Sequence, residues 1–293
     1  MNKVKGIAFL LLILGLTCIP LTASYAKIKK TPEEEKAERV SELCLSGTPS
    51  EIQAAIQDGS LKVDEVYNDG VTPIMYAAFG NKDPQAVQVL IDAGSDVDQI
   101  VKGLGITPVM EAIKNPNPEV LKVLINAGAT VTAYDLVGDS PNAYKDTDTP
   151  LYTMTGGSPL IYAAMQTPLP DVEIFKTLIE AGANVNARNA NASSCMILLA
   201  SKNTPYEILK LFVDAGVPVD ERDVTGKSIL MLACLYNNDP RVISMLLDEG
   251  ADAAVTDWAN FSAADYAAAN PALKDNPVFK RLLAKAPKKE PNA

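Results

Sequence analysis

Apolar residues along this chain fall in short clusters broken by turn-forming residues, and the clusters come in pairs. The first cluster of each pair follows a glycine-containing turn: Gly70-Val-Thr-Pro73, Gly105-Ile-Thr-Pro108 and Gly156-Gly-Ser-Pro159, with weaker copies at Ala192-Ser-Ser-Cys195, Gly226-Lys-Ser-Ile229 and Asn260-Phe-Ser-Ala263. The second cluster ends in glycine: Val89-Leu-Ile-Asp-Ala-Gly94, Val123-Leu-Ile-Asn-Ala-Gly128, Thr177-Leu-Ile-Glu-Ala-Gly182, Leu211-Phe-Val-Asp-Ala-Gly216 and Met245-Leu-Leu-Asp-Glu-Gly250. A glycine there suits the left-handed residue that closes a helix. The fourth positions of the turns, 73, 108, 159, 195, 229 and 263, are separated by 35, 51, 36, 34 and 34 residues. Self-similarity at such a period is the mark of a repeat architecture.

Between the two clusters of a pair the same punctuation recurs: Thr48-Pro49, Asp83-Pro84, Asn117-Pro118, Thr204-Pro205, Asp239-Pro240 and Asn276-Pro277. A capping side chain followed by proline starts a helix for a physical reason. The first amides of a helix have no partner within it, the cap's oxygen accepts from one, and proline removes another. Each repeat therefore predicts a helix, a short loop, a second helix and a turn that projects as a finger.

This pattern resembles the ankyrin repeat, two antiparallel helices and a β-turn with a Thr-Pro-Leu-His signature. The resemblance runs over about residues 37 to 286 in seven copies and implies an all-α ankyrin-repeat solenoid with β-turn fingers and one inserted loop. The family's histidine is replaced by Met75, Met110, Ile161, Ile197, Leu230 and Asp265, so its hydrogen bond to threonine is expected to be missing. Small residues occupy the first helices where neighbouring repeats approach: Ala77 and Ala78, Ala163 and Ala164, Ala267 and Ala268, with Cys44, Ala200 and Cys234 in the same slot elsewhere.

The chain's start reads differently. Lys3 and Lys5 precede an apolar run from Ile7 to Ile19, and Ser24-Tyr25-Ala26 is a small-x-small cleavage site. This predicts a secretory signal peptide over residues 1–26, cleaved after Ala26, and a secreted or periplasmic protein. The run is shorter than the ~20 residues that span a bilayer, so no stable membrane insertion is expected after cleavage. Residues 27–36 are expected to be flexible, 37–286 to form the repeat domain and 287–293 a disordered tail. Cys44, Cys195 and Cys234 remain after cleavage, an odd number set in different repeats, and read as small buried hydrophobes rather than a disulfide framework.

Composition narrows the function. The chain has 26 basic and 36 acidic residues, a net charge of −10, and no histidine. A negative chain is a poor nucleic-acid binder. Without histidine the commonest general base and zinc ligand are missing, and no phosphate-binding loop or C-x-x-C pair replaces them. No catalytic residue, metal or cofactor is assigned. The resemblance implies a non-enzymatic scaffold, expected to be monomeric, that binds another protein through its fingers and first helices. The matching positions are Val71, Phe79, Leu104, Ile106, Met165, Leu235, Tyr236, Trp258 and Phe261, with Trp258, Phe261 and Tyr236 expected to cluster near the last two repeats. Two other readings compete. Residues 134–155 form the insertion behind the 51-residue interval, and Asp139, Asp146 and Asp148 there could serve a calcium- or carboxylate-dependent activity, although their spacing matches no calcium loop. A self-associating envelope protein is the third.

Overall fold

A computed structural model describes residues 30–67, 70–101, 105–132, 158–189 and 191–287. The insertion at 134–155 and the signal peptide lie outside the described residues, as does all of the tail but Pro287. Two compact units are formed, one ending at Thr130 and the other beginning at Val131. In the first, α1 (Pro32–Ser46) pairs with α2 (Pro49–Gln57), α3 (Pro73–Gly80) with α4 (Pro84–Asp92), and α5 (Pro108–Ala112) with α6 (Glu119–Asn126). The second contains α7 (Pro159–Met165) with α8 (Val172–Glu180), α9 (Cys195–Ala200) with α10 (Tyr206–Asp214), and α11 (Ile229–Tyr236) with α12 (Pro240–Asp248). Its last pair is α13 (Ala263–Ala269) with α15 (Pro277–Lys285), joined through the single-turn α14 (Pro271–Lys274). Seven helix pairs thus stand among the described residues.

Within each unit, first helices pack on first helices and second on second, so each row of helices runs from repeat to repeat. A first helix touches its own partner and the repeats on either side, which is why its whole circumference is apolar. All of Ile229 to Cys234 is buried, as is all of Pro73 to Ala78. Second helices face neighbours on one side only and are amphipathic: in α12, Val242, Ile243 and Leu246 point inward while Arg241 and Asp248 stay in water. Phe175 and Phe212 bridge α8 and α10 edge to face, with centroids 6.2 Å apart and both side chains fully buried. Burying such a side chain is worth about 1.5–3 kcal/mol.

A ladder of amides, unread in the sequence, joins the repeats. In the first unit the Asn81 side-chain amide donates to the carbonyls of Cys44 and Gly47, and that of Asn115 to Ala78 and Asn81. In the second, Asn237 donates to Thr204, and Asn270 to Cys234 and Asn237. The Asn81, Asn115 and Asn237 side-chain oxygens accept the amide two residues on, setting up the following helix. The repeat from 195 departs from this rule, placing Lys202 Nζ on the carbonyls of Ala164 and Gln166, 2.8 and 3.0 Å away. The recurring residue ahead of the proline was visible in the sequence, in Asn81-Lys-Asp-Pro84, Asn115-Pro-Asn-Pro118 and Asn237-Asn-Asp-Pro240.

Several expectations shift. Helix α1 starts at Pro32, inside the segment expected to be flexible, because Thr31 and Glu34 form a reciprocal capping box. Thr204 does not cap α10; its hydroxyl donates to the Leu199 carbonyl at 2.6 Å. Helix α6 begins at Glu119, one residue past the expected proline, with Asn117 accepting the Glu119 amide. Met231, not Leu230, occupies the signature's histidine place. Ser228 accepts from the Met231 amide, and the Met231 sulfur takes the Ser228 N–H. Asp265 fills the same place in the last repeat and receives both the Ser262 amide and its hydroxyl at 2.7 Å, so a carboxylate makes the bond back to the cap there. Thr72 alone among the six turn caps has no hydrogen bond at its buried hydroxyl. Ala268 is exposed, in contrast to the buried Ala78 and Ala164 of the same slot.

Candidate functional site

Fingers form where the chain turns back between repeats, and among the described residues each carries one isolated antiparallel bridge rather than a sheet. The bridges are Tyr67 with Val71, Val101 with Ile106, Arg188 with Ser194, Arg222 with Ser228, and Thr256 with Ser262. This geometry corrects two predicted contacts. Ile106 is 1% exposed, because the bridging residue turns its side chain into the core, and Val71 is buried for the same reason. Leu104 lies outside the described residues. Phe79 is half-buried at the end of α3, with Lys114 Nζ 5.8 Å from its ring centre. Met165 and Leu235 are half-buried at the ends of α7 and α11.

Four apolar residues of the second unit's fingers and first helices stand out into water. Val224 is 81% exposed, Trp258 75%, Phe261 48% and Tyr236 47%. Trp258 crosses to the preceding finger, where its backbone N–H donates to the Thr225 carbonyl and its indole Nε1–H to the Val224 carbonyl, both at 3.3 Å. The indole lies against Gly226. A Cβ at that position would come within 2.6 Å of the ring, and its φ of +80° is one that L residues resist. Glycine at 226 is therefore what allows the tryptophan to lie down on the neighbouring turn. One side of the tryptophan thus packs on the preceding finger, and the rest faces water.

Asp257 is the post on which the last finger is built. Its buried carboxylate accepts from the amides of Ala259 and Phe261 at 3.0 and 2.9 Å and from the Tyr266 hydroxyl at 2.5 Å, with Lys227 Nζ at 3.8 Å. Burial alone would raise its pKa. The Tyr266 hydroxyl, the two amides and Lys227 outweigh that and hold it below the ordinary carboxylate range, while burial and Asp257 push the Tyr266 phenol up. Tyr266 in turn braces Phe261, with ring centres 5.9 Å apart. On the preceding finger, Asp223 accepts from the Thr225 and Lys227 amides, and Arg222 hooks the carbonyls of Gly226 and Thr256. Arg188, one repeat earlier, makes the matching bond to the Ala192 carbonyl and pairs with Glu221. These arginines and aspartates are the residues the sequence reading missed. Arg188 and Arg222 stand 34 positions apart at one place in the repeat, a signal that was open to reading.

Chemistry elsewhere is muted. Cys44, Cys195 and Cys234 are free thiols with no exposed surface; burial pushes Cys44 up to about 12 and raises the other two as well. Protonated thiols are poor nucleophiles. Among the described residues no cluster of three metal-ligating side chains occurs, and no helix is long and apolar enough to cross a membrane.

Comparison with known proteins agrees with this architecture. The sequence profile for ankyrin repeats, in three copies, matches residues 40–135, 74–189 and 196–293. No curated protein matches the chain. The ankyrin repeat domain of human ASB11 superposes with a TM-score of 0.62 at 19% identity, covering 90% of this chain and 100% of that one. The ankyrin repeat domain of Bcl-3, a member of the IkappaB family, gives 0.57 at 18%, covering 87% and 100%. In all, 463 solved chains match, so the likeness identifies a fold and selects no partner.

Proposed function

The chain belongs to the ankyrin-repeat family, and from that premise we propose that it is a non-enzymatic, exported binding protein that holds another protein on the fingers and first helices of its second unit. Ankyrin repeats are protein-interaction modules, and the observation that carries the reading here is the exposure of Val224, Trp258 and Phe261 on fingers fastened from within, together with that of Tyr236 at the end of α11. Large aromatics in water are the usual anchors of protein interfaces. Anchors already fixed by Asp257 and by the Gly226 contact lose little freedom when a partner arrives, which lowers the entropic cost of binding. Export follows from the leader pattern of residues 1–26.

Two measurements test this. The intact mass of the protein recovered from outside the cytoplasm should correspond to a chain beginning at Lys27; a chain retaining residues 1–26 in the cytoplasm contradicts export. Affinity capture from extract of that compartment, with wild-type and Trp258→Ala protein as baits, should yield a partner that the variant loses. Equal recovery by both baits removes Trp258 from the interface.

A further inference from the structure

Among the described residues Glu111 alone buries a carboxyl group whose two oxygens accept no hydrogen bond. It stands in α5, which has five residues where every other first helix has six or more. The helices packed on α5 do little for a charge there. In α3 the one titratable group is Tyr76, and in α6 Glu119 and Lys122 pair with each other at 2.8 Å at the surface. The bridging residues Val101 and Ile106 carry no charge. Only Lys114 remains, its Nζ 3.7 Å from the carboxylate, mostly buried itself and 5.8 Å from the centre of the Phe79 ring.

An ion pair at that separation, out of water and without a hydrogen bond, does not offset the desolvation of both charges. Burial accordingly raises Glu111 to about 7 against the pull of Lys114. The packed repeat thus keeps a proton that the same repeat, opened to water, gives up. Opening can be local, since repeats in such an array contact only their neighbours and stability differs from one region to the next. The contacts that would part include the bonds of the Asn115 amide to the carbonyls of Ala78 and Asn81. The second unit offers a contrast. Its buried acid, Asp257, accepts from two amides and the Tyr266 hydroxyl and stays ionised, so it has no proton to release on opening.

We propose that the pair α5–α6 is a proton-operated latch: with Glu111 protonated it stays closed on α3, and with Glu111 ionised it opens locally and far more often, while α11–α12 of the second unit stays shut. This device belongs to the first unit and does not depend on the binding reading above. With no histidine in the chain, no ordinary side chain titrates across the same range to mask it.

Hydrogen exchange followed by mass spectrometry on the intact protein at pH 5, 6, 7 and 8 tests the latch. Rates divided by the intrinsic rate of each amide give the opening constant where reclosing is fast. For amides of α5–α6 that constant should rise about fiftyfold from pH 5 to pH 8, most of it below pH 7. For amides of α11–α12 it should change less than about twofold. In Glu111→Gln the α5–α6 constant should stay near the wild-type pH 5 level at every pH. A flat wild-type profile for α5–α6 overturns the proposal. Equal rises in both regions mean that the whole chain unfolds together, and the local latch fails. A variant that keeps the pH dependence places the proton on another group. The comparison of two regions within the wild-type chain decides the matter even if the variant does not fold.

Discussion

Single polar atoms in the core mark where the repeats depart from their own rule. Thr72 and Thr107 hold the same place in successive repeats, but Thr107 accepts the Met110 amide at 3.2 Å while the Thr72 hydroxyl is buried without a hydrogen bond. Replacing the hydroxyl by a methyl group should therefore give unlike results. Thr107→Val should lower stability by about 1 kcal/mol through loss of the cap, whereas Thr72→Val, which removes an unsatisfied group, should be neutral or stabilising in a urea melt. Glu111 is the stronger anomaly. It is 2% exposed at a place where neighbouring repeats carry Tyr76 and Tyr162, and its carboxylate has Lys114 Nζ at 3.7 Å. Burial pushes it up to about 7 against the pull of Lys114, and burial likewise lowers Lys114. The folded state thus holds a proton that the unfolded chain releases above pH 4.5, so this group's contribution to stability is complete below pH 4.5, declines as pH rises toward 7, and is level beyond it. Glu111→Gln removes that dependence. Its stability relative to wild type, from urea midpoints at pH 5, 6, 7 and 8, should climb across the window by about 3 kcal/mol in all; a constant difference at every pH contradicts the assignment.

At the scale of the element, what matters is how each helix pair grips the next. Asn237 is fully buried, donates to Thr204 of the preceding repeat and accepts the Asp239 amide. Truncation to alanine leaves both groups without their partner and should cost about 1–3 kcal/mol, and the emission of Trp258, in the same unit, should report the earlier transition in denaturant. Ala164 tests the opposite fault. It has no exposed surface in α7, which packs on α9, and Ala164→Leu should cost about 1–3 kcal/mol by overpacking; an unchanged melting curve would mean that the repeats do not approach at this slot. Element boundaries were legible in the sequence where they are set locally. Asp83, Asp239 and Asn276 each cap their helix from the residue before proline. They were illegible where a residue answers to another repeat, as with Lys202, whose ammonium replaces the ladder's asparagine, or where proline stands at the cap itself, as in α6 and α10. The exposed finger aromatics Trp258 and Phe261 were legible because 34-residue spacing locates the fingers, but Val71 and Ile106 were misplaced, since spacing alone does not tell which finger residue bridges and turns inward.

For the whole molecule, charge acts over distances that no single contact spans. A chain of net charge −10 without histidine keeps that charge through the neutral range, apart from Glu111. The field it sets up draws in a partner of positive sign before any apolar contact forms. Salt should therefore act on arrival and not on departure. In kinetic binding measurements with the affinity-captured partner, the association rate should fall about tenfold as ionic strength rises from roughly 0.01 to 0.15 M, where the screening length drops from about 30 to 8 Å. The dissociation rate, governed by the apolar contact with Val224, Trp258 and Phe261, should change less than about twofold over the same range. A dissociation rate that follows salt as steeply as the association rate would mean that the partner is held by ion pairs, and the exposed aromatics would then be bystanders to binding.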